Sequence, residues 1–183
     1  MKLVVAATGA SGALYTQRLL DSLAGHEIHY IVTGPAREVQ ELELPGGLKL
    51  PAGVIRYEEN GSMFVPFVSG SAKFDAMIVI PASMGTVGRI ATGVSDSTVA
   101  RAADVFLKER RQLILVPRES PYNLIHLRNM VALTEAGATI IPASPSFYSQ
   151  PQTITGLVDT IVARVLDHLG GEHQLAKRWQ SAD

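Results

Sequence analysis

The sequence predicts a single α/β domain, with a doubly wound and mostly parallel sheet that carries helices on both faces. Short, apolar, β-rich segments alternate along the chain with longer segments of helical periodicity. The chain has 183 residues, of which 46% are hydrophobic and 18% charged, values typical of one compact globular domain. Because strands joined by helical crossovers run in the same direction, we expect a parallel sheet covered on both faces.

Five strands are predicted, each rich in β-forming residues and followed by turn residues: KLVVAA (2–7), EIHYIV (27–32), AMIVIP (76–81), QLILVP (112–117) and ATIIP (138–142). Helices are predicted over 12–24, over 96–111 with Asp96 or Ser97 as N-cap, over 124–137, and over a last apolar segment that ends near Gly170. Residues 44–75 contain glycines and prolines with little periodicity, and we interpret them as a long functional loop.

Charge and cysteine content exclude several classes of function. The formal net charge of -1 gives no reason to expect nucleic acid or an anionic membrane as partner. The chain has no cysteine, which excludes disulfides, thiolate metal ligands and cysteine nucleophiles. No window approaches the roughly 20 apolar residues of a membrane span. We therefore expect a soluble, cytoplasmic protein with a small neutral or anionic ligand.

The residues that follow each strand are the candidates for ligand binding, because doubly wound sheets bind ligands beyond the carboxyl ends of their strands. These segments are TGASG (8–12), TGP (33–35), PASMGT (81–86), PRESP (117–121) and PASPSFY (142–148). We expect their hydroxyls and small residues, with the adjacent Arg118 and Glu119, to meet at one edge of the sheet.

The first of these turns is a candidate phosphate site. A glycine turn that opens a helix offers free backbone N–H groups and the positive end of the helix dipole. Glycine and serine in such a turn are as often only steric necessities. The G-x-x-G spacing, Thr33 in place of a ribose-binding acid, and the missing Walker lysine argue against NAD and nucleoside triphosphates. A mononucleotide phosphate, with Ser11 and Thr33 as hydroxyl donors, is the better interpretation.

Two further turns have both a functional and a plain structural interpretation. PASMGT supplies small and polar groups against which a flat ring could lie, although a proline-terminated strand followed by an ordinary helix cap also explains it. PRESP is more informative, because two prolines bracket Arg118 and Glu119 directly after an apolar strand. A rigid loop there would direct both side chains at the ligand, whereas the alternative is a solvated ion-pair turn.

Together these motifs carry a resemblance to a known family. TGASGA, PASMGT, the block at 100–130 and PSFYSQPQT, in this order and at these separations, resemble the UbiX family of flavin prenyltransferases. This family is related to the FMN-dependent cysteine decarboxylases. The resemblance spans nearly the whole chain, and we assign a flavin prenyltransferase domain to 1–171 and a tail to 172–183. It implies a cytoplasmic enzyme that attaches a dimethylallyl group to N5 and C6 of reduced FMN, making prenylated FMN for UbiD-type decarboxylases.

The resemblance also implies roles for individual residues. The FMN phosphate would be held by Gly9, Ala10, Ser11 and Thr33, and the rest of the flavin by Ser83, Met84, Gly85, Thr86 and Arg118. The dimethylallyl phosphate would be bound by Tyr148 and Arg164, with Lys108 and Arg101 nearby. The acidic residues beside the reacting flavin would be Glu119 and Glu43. The family forms large homo-oligomers, usually dodecamers, with active sites at subunit contacts, and we expect Trp179 in the tail to dock on a neighbouring subunit.

The residue types suit this chemistry without a metal. Prenyl transfer usually neutralises the departing phosphate with a metal in aspartate-rich motifs, which this sequence lacks. Lys108, Arg164 and the Tyr148 hydroxyl could supply charge-assisted donors instead. Met63 and Phe64 could shield the allylic cation from water. Either Glu119 or the released phosphate could accept the proton that leaves flavin C6.

Two departures from the UbiX pattern and two alternative functions stay open. Thr33-Gly34 replaces the Ser-Lys of many relatives, and Met63 replaces an aromatic residue, so the prenyl donor is either the monophosphate or the diphosphate. One alternative is an FMN-dependent decarboxylase of the cysteine-decarboxylase type, which would need a catalytic histidine where only His26 and His29 are present. The other is a flavin carrier without turnover.

Overall fold

The computed structural model of the chain describes residues 1–176, so the prediction for Trp179 lies outside the described residues. Its strands are β1 (Lys2–Ala7), β2 (Glu27–Val32), β3 (Ile55–Glu58), β4 (Ala76–Ala82), β5 (Gln112–Pro117) and β6 (Thr139–Ile140). Its helices are α1 (Ala13–Ser22), α2 (Gly34–Glu43), α3 (Met84–Ala91), α4 (Thr98–Lys108), α5 (Leu124–Glu135) and α6 (Ile154–His168), and a 3-10 turn spans Pro66–Val68.

The six strands form one parallel sheet in the order β3-β2-β1-β4-β5-β6, which confirms the predicted doubly wound, Rossmann-like fold. The chain first builds outward from β1 to β3 and then crosses back to add β4 on the other side of β1. The helices that follow β1 and β4 therefore lie on opposite faces of the sheet, and a crevice forms where they separate, at the position where this class of fold binds ligands. No helix among residues 1–176 has both the length and the apolar character needed to cross a membrane.

Side chains of β1 alternate between two hydrophobic cores, one on each face of the sheet. Leu3, Val5 and Ala7 belong to a buried cluster that includes residues of α1 and α6, whereas Val4 and Ala6 belong to one that includes residues of α3 and α4. Successive side chains of a strand point to opposite faces, so a fully apolar strand can serve both clusters. This explains why the central strands are continuous apolar runs.

Three elements were missed by the sequence analysis. The bounds of β1, β2 and β5 are the predicted ones, but α2, β3 and α3 were not predicted. Gly34 and Pro35 were interpreted as part of a turn, yet proline in the first turn of a helix removes no intrahelical hydrogen bond, and α2 begins there. The helix α3 has only 8 residues and contains two glycines, so its helix propensity is weak.

Residues 44–75, interpreted as a functional loop, contribute an edge strand and a helix cap. The strand β3 has 4 residues, most of them exposed, and lacks the apolar run by which the other strands were predicted. Just beyond it, the Glu59 carboxylate accepts hydrogen bonds from the amides of Thr98 at 3.0 Å and Val99 at 2.8 Å. This segment therefore completes the first turn of α4.

A buried ion pair connects the helices α1 and α6. Arg18 Nε donates to Asp159 Oδ1 at 2.8 Å, and Arg18 Nη2 donates to Asp159 Oδ2 at 2.9 Å. The Asp159 side chain is only 9% exposed, so the guanidinium replaces the water that the carboxylate loses on folding. The hydrogen bond and the charge of Asp159 raise the pKa of Arg18 further, although partial burial opposes this.

We expect Arg18→Met to lower the free energy of unfolding by about 3 kcal/mol, because it leaves a buried carboxylate unpaired. The measurement is urea unfolding at neutral pH. The matched control is Arg56→Met, since Arg56 pairs with Glu58 at 2.7 Å on the exposed edge of the sheet, where such a pair contributes less than about 1 kcal/mol. Equal losses in the two variants would contradict the structural role of the α1–α6 pair.

Candidate functional site

A cleft of about 390 Å³ opens at the crevice between the ends of β1 and β4. It is lined by Thr8, Gly9, Thr33, Pro35, Ser83, Thr86, Arg89, Asp96, Ser97 and Val99. Gly9, Thr33, Ser83 and Thr86 were predicted to bind FMN, and they meet here. The turns after β1, β2 and β4 therefore converge on one cleft, which we call the crevice cleft.

Thr8 fixes the floor of the crevice cleft, a role that the sequence analysis missed. Its buried hydroxyl donates to the Pro81 carbonyl at 3.0 Å and accepts from the Ser83 amide at 2.7 Å. The loop after β1 is thereby joined to the loop after β4. Gly9 is required beside it, because a Cβ at this position would lie 2.6 Å from the Pro35 Cβ. The only signal in the sequence was a hydroxyl directly after a buried strand.

The amino end of α1, predicted to offer free amides to a phosphate, is engaged by a carboxylate of the protein. Glu43 Oε2 accepts hydrogen bonds from the amides of Gly12 and Ala13, both at 2.8 Å. The Ser11 hydroxyl also hydrogen-bonds to Glu43. In this structure Ser11 and these amides contact Glu43, and the binding of a phosphate at α1 stays a prediction.

The amino ends of α2 and α3 are capped by hydroxyl side chains rather than by a carboxylate. Thr33 caps α2 by accepting from the Ala36 amide at 3.2 Å, and Ser83 caps α3 by accepting from the Thr86 amide at 3.4 Å. Among residues 1–176, nothing accepts from the amides of Gly34, Met84 or Gly85. Each cap uses an oxygen lone pair, and Ser83 Oγ also lies 3.1 Å from the Thr86 hydroxyl. The Thr33 hydroxyl and one hydroxyl of the Ser83–Thr86 pair therefore remain able to donate to an anion.

The amino end of α4, like that of α1, is engaged by a carboxylate of the protein. Ser97 lines the crevice cleft and caps α4, but the Glu59 carboxylate takes the first amides of α4. Arg89 contributes a cation at the opening of the cleft, where its Nε lies 3.4 Å from Asp96 Oδ2. Because Asp96 also lines the crevice cleft and pairs with Arg89, the open amino ends of α2 and α3 are the features that favour an anion there.

Glu43 remains ionised at neutral pH. Burial raises the pKa of its carboxyl, but hydrogen bonds from Ser11, Ala13 and Gly12, together with the charge of Arg118, outweigh burial and hold the pKa below its usual range. A carboxylate in this state accepts hydrogen bonds and stabilises nearby positive charge. It is a poor proton donor, so any acid role for Glu43 is disfavoured.

Arg118 and Glu119 follow β5, and Arg118 lies close enough to Glu43 for its charge to act on that carboxyl. The Arg118 amide donates to the Ala82 carbonyl at 3.3 Å, which holds the loop against the end of β4. Arg118 Nε is buried and has no hydrogen-bond partner among the described residues. Glu119 accepts from the Ser120 amide at 3.0 Å, and its charge adds to burial in raising the pKa of Tyr122. An unpaired buried guanidinium nitrogen indicates a ligand with an acceptor at this position.

The remaining residues predicted to bind the flavin differ in the exposure of their side chains and backbone. The side chain of Met84 is 6% exposed and packs in the core beneath α3, so only its backbone can face a ligand. Ala10 is also buried, and its amide donates to the Thr8 carbonyl at 2.7 Å. Gly85 is exposed at the start of α3.

Tyr148 and Arg164 line a second cleft of about 530 Å³, which we call the donor cleft. The Arg164 side chain is 59% exposed, and its Nη1 donates to Asp167 Oδ2 at 2.8 Å. The loop that carries Tyr148 is held by the Ser146 amide, which donates to the Thr160 hydroxyl at 3.2 Å. The predicted pair Tyr148 and Arg164 is therefore brought together, as expected.

Arg101 and Lys108 lie elsewhere, two turns apart on one face of α4. Arg101 lines a third cleft of about 560 Å³ together with Met63. Arg101 pairs with Asp104 at 3.0 Å, and Lys108 pairs with Glu109 at 2.5 Å. The four residues predicted around the prenyl donor thus do not line one cleft in a single chain. Among residues 1–176, no group of three or more His, Asp or Glu side chains is placed to hold a metal ion.

Comparisons with known proteins agree on one family. The model of the Flavoprotein family matches residues 1–166. The flavin prenyltransferase UbiX of Methanocaldococcus jannaschii is 43% identical over 181 residues, which are 98% of either chain. A solved structure of AnUbiX (PadA1) in complex with FMN and dimethylallyl pyrophosphate has a TM-score of 0.91 at 37% identity, covering 100% of this chain and 98% of that one. A dodecameric FMN-dependent Ubix-like decarboxylase from Escherichia coli O157:H7 has a TM-score of 0.91 at 42% identity, covering 99% and 100%.

We expect the stabilising effect of Glu43 to depend on pH. When folding lowers the pKa of a carboxyl, the ionised group stabilises the folded protein at any pH above the pKa that the group has in the unfolded chain. This stabilisation is lost as the pH falls through the lower pKa of the folded state. Glu43→Gln should therefore be less stable than the unsubstituted protein at neutral pH, and the difference should shrink below pH 4.5, the ordinary value for this group. Urea unfolding at several pH values measures it. Glu41→Gln, exposed on the same helix, is the control, and a difference that does not vary with pH would refute the contact.

Proposed function

The chain belongs to the Flavoprotein family, among its UbiX-type flavin prenyltransferases, and we propose how its residues carry out that reaction. The enzyme transfers a dimethylallyl group from dimethylallyl phosphate to reduced FMN, forming bonds at N5 and C6, and the product serves UbiD-type decarboxylases. We assign this activity to the cytoplasm. The observation that carries the assignment of the flavin site is the convergence of two open helix amino ends on the crevice cleft, with the unpaired Arg118 Nε nearby.

The crevice cleft fits the phosphate of FMN. Thr33 and Ser83 place two hydroxyls and the free amides of Gly34, Met84 and Gly85 at one site, a donor set that suits a phosphate dianion. Its size of about 390 Å³ suits part of a mononucleotide. The Glu43 carboxylate occupies the first amides of α1 and repels a second anion there, which favours binding of an anion at α2 and α3.

The flavin ring is proposed to lie between the loops that carry Ser11 and Arg118. Reduced FMN supplies the nucleophile when bound. Arg118 Nε donates to an acceptor of the ring, while the ionised Glu43 and the Ser11 hydroxyl fix the edge near α1. Negative charge from Glu43 stabilises positive charge that develops on the dimethylallyl group. The proton from C6 passes to Glu119 or to the released phosphate.

The prenyl donor site is proposed to combine neighbouring copies of the chain. Tyr148 and Arg164 line the donor cleft, whereas Arg101 and Met63 line the cleft beside α4. Large apolar side chains near both are exposed, with Phe64 100% and Phe147 71% accessible, as expected of surfaces that another subunit covers. A homododecamer, the assembly of the related Escherichia coli protein, would bring α4 of one copy to the donor cleft of another.

The alternative decarboxylase function has no support from the early histidines. His26 lies before β2 and hydrogen-bonds to the amino terminus, at the opposite end of the strand from the crevice cleft. His29 is 3% exposed, and its two ring nitrogens contact the Tyr57 hydroxyl at 2.9 Å and Glu27 at 3.0 Å. Neither is placed to act on a ligand at the carboxyl edge.

The proposed reaction is tested by incubating the protein with reduced FMN and dimethylallyl phosphate, and by taking a mass spectrum of the released flavin. We expect the mass of FMN plus one dimethylallyl group, formed with and without EDTA, because cationic side chains rather than a metal neutralise the phosphate. Release of unmodified FMN alone would contradict the prenyltransferase function and would favour the alternative of a flavin carrier without turnover. Activity that is lost in EDTA and restored by magnesium would contradict the metal-free assignment.

We expect Ser83→Gly to raise the dissociation constant of FMN about tenfold or more, since one hydrogen bond to a charged group contributes about 1.5–3 kcal/mol. Binding of riboflavin, which lacks the phosphate, should not change. Glycine is a suitable replacement because it retains most of the capping stability that alanine would lose. Thr153→Gly, at the cap of α6, is the control. If the dissociation constants of FMN and riboflavin rise equally, Ser83 contacts the flavin ring and not the phosphate.

The shared donor site predicts complementation between two inactive variants. Arg101→Ala and Arg164→Ala should each lose prenylation. Oligomers reassembled from an equal mixture of the two variants should recover prenylation at about a quarter of the sites. At these sites the copy with Arg164→Ala supplies an intact Arg101 and the copy with Arg101→Ala supplies an intact Arg164. The measurement is single-turnover product formation after mixing and reassembly. A mixture that stays inactive, although both variants assemble and bind FMN, would contradict a site built from two copies.

A further inference from the structure

The donor cleft contains a histidine that the proposed mechanism does not use. His173 lies in the segment after α6 and lines the donor cleft with Tyr148 and Arg164. Its side chain is only 6% exposed. Its Nδ1 is buried and has no hydrogen-bond partner among the described residues. Among residues 1–176, the ring therefore makes its hydrogen bond through its other nitrogen, Nε2.

His173 is connected to Arg164 through one carboxylate. Asp167 Oδ1 lies 3.1 Å from His173 Nε2, and Asp167 Oδ2 accepts from Arg164 Nη1 at 2.8 Å. The two oxygens of Asp167 therefore face the two residues separately. When His173 donates from Nε2, it fixes the Asp167 side chain in the orientation that holds Arg164.

The backbone after α6 is shaped to place His173 at this point. The chain turns at Gly170, whose φ of 73° is a left-handed conformation that favours glycine. The Gly171 amide donates to the Leu166 carbonyl at 3.0 Å, and the Gly170 amide donates to the Asp167 carbonyl at 3.1 Å, as in a Schellman motif. Leu175 then packs against the core between the sheet and α1 and α6. The reversal returns His173 to Asp167, the second-last residue of α6.

We propose that His173 is a positioning residue for the prenyl donor, acting through Asp167 to hold Arg164 toward the donor cleft. An arginine that is 59% exposed can adopt many rotamers, and ordering it costs free energy that would otherwise favour binding. The His173–Asp167 hydrogen bond orders it before the donor arrives. This inference rests on the proposed function, because it assumes that Arg164 binds the phosphate of the donor.

Two amide replacements separate this role from direct contact with the donor. A glutamine at 173 can place its amide N–H near the position of Nε2 and keep the hydrogen bond to Asp167. An asparagine can place its polar group only near the position of Nδ1. Positioning through Asp167 therefore predicts recovery by His173→Gln and not by His173→Asn, whereas direct contact through Nδ1 predicts the reverse.

The experiment measures KM for dimethylallyl phosphate and for dimethylallyl pyrophosphate, kcat, and the dissociation constant of FMN, all with the full chain. We expect His173→Ala to raise KM about tenfold, with kcat and FMN binding nearly unchanged, since a lost hydrogen bond to a charged group has effects on this scale. We expect His173→Gln to recover most of the affinity. His168→Ala, exposed at the end of the same helix, should resemble the unsubstituted protein.

Three results would overturn the proposal. They are an unchanged KM in His173→Ala, an equal loss of FMN binding, and recovery by His173→Asn instead of His173→Gln. If His173→Ala does not fold, the comparison of the two amide variants still decides, because both keep a polar side chain. Arg164→Ala is measured in parallel: an unchanged KM there would refute the donor site itself, whereas a raised KM there with an unaffected His173→Ala would refute only the role of His173.

Discussion

The parallel sheet forces several helices to begin at one edge, and the unpaired amides of their first turns must all be satisfied there. Two carboxylates of the protein meet part of this requirement: Glu43 engages the first amides of α1, and Glu59 those of α4. The amides that open α2 and α3 face the crevice cleft instead. The proposed phosphate site thus lies at the helix ends that the protein leaves without a carboxylate.

The same two carboxylates connect the fold to the site. Glu43 is the last residue of α2, and Glu59 directly follows β3, so both come from the half of the sheet that is built outward from β1. The amino ends of α1 and α4 are therefore complete only when that half of the sheet is in place. The segment at 44–75 therefore contributes to the crevice cleft by holding α4 in place, even though most of its residues do not line it.

The sequence predicted the buried strands best because burial on both faces requires continuous apolar runs. It failed at β3, an exposed edge strand, and at α2, whose opening glycine and proline also suit a turn. In the site, the turns after β1, β2 and β4 meet as predicted, since topology alone brings them together, whereas the ligand that they bind stays a prediction. The contact of Glu43 with Gly12 spans 31 residues, and no local pattern reports a hydrogen bond over that distance. For the same reason the role of Thr8, the reversal at Gly170 and the placement of His173 could be found only in three dimensions.

The cations assigned to the prenyl donor share one feature that suits a transient anion. Each is paired with a carboxylate close by in sequence: Arg101 with Asp104, Lys108 with Glu109, and Arg164 with Asp167. All three cations are at least 39% exposed, and exposed pairs of this kind contribute at most about 1 kcal/mol. A phosphate that contacts several cations at once can therefore replace or share these partners at little cost. An anion that contacts only one of these cations has no such advantage, because it gains a single contact and competes with the carboxylate already paired there. The pairing keeps the cations ordered and neutralised in the free chain, and it favours a ligand that engages them together, as the phosphate of a prenyl donor would in an assembled oligomer.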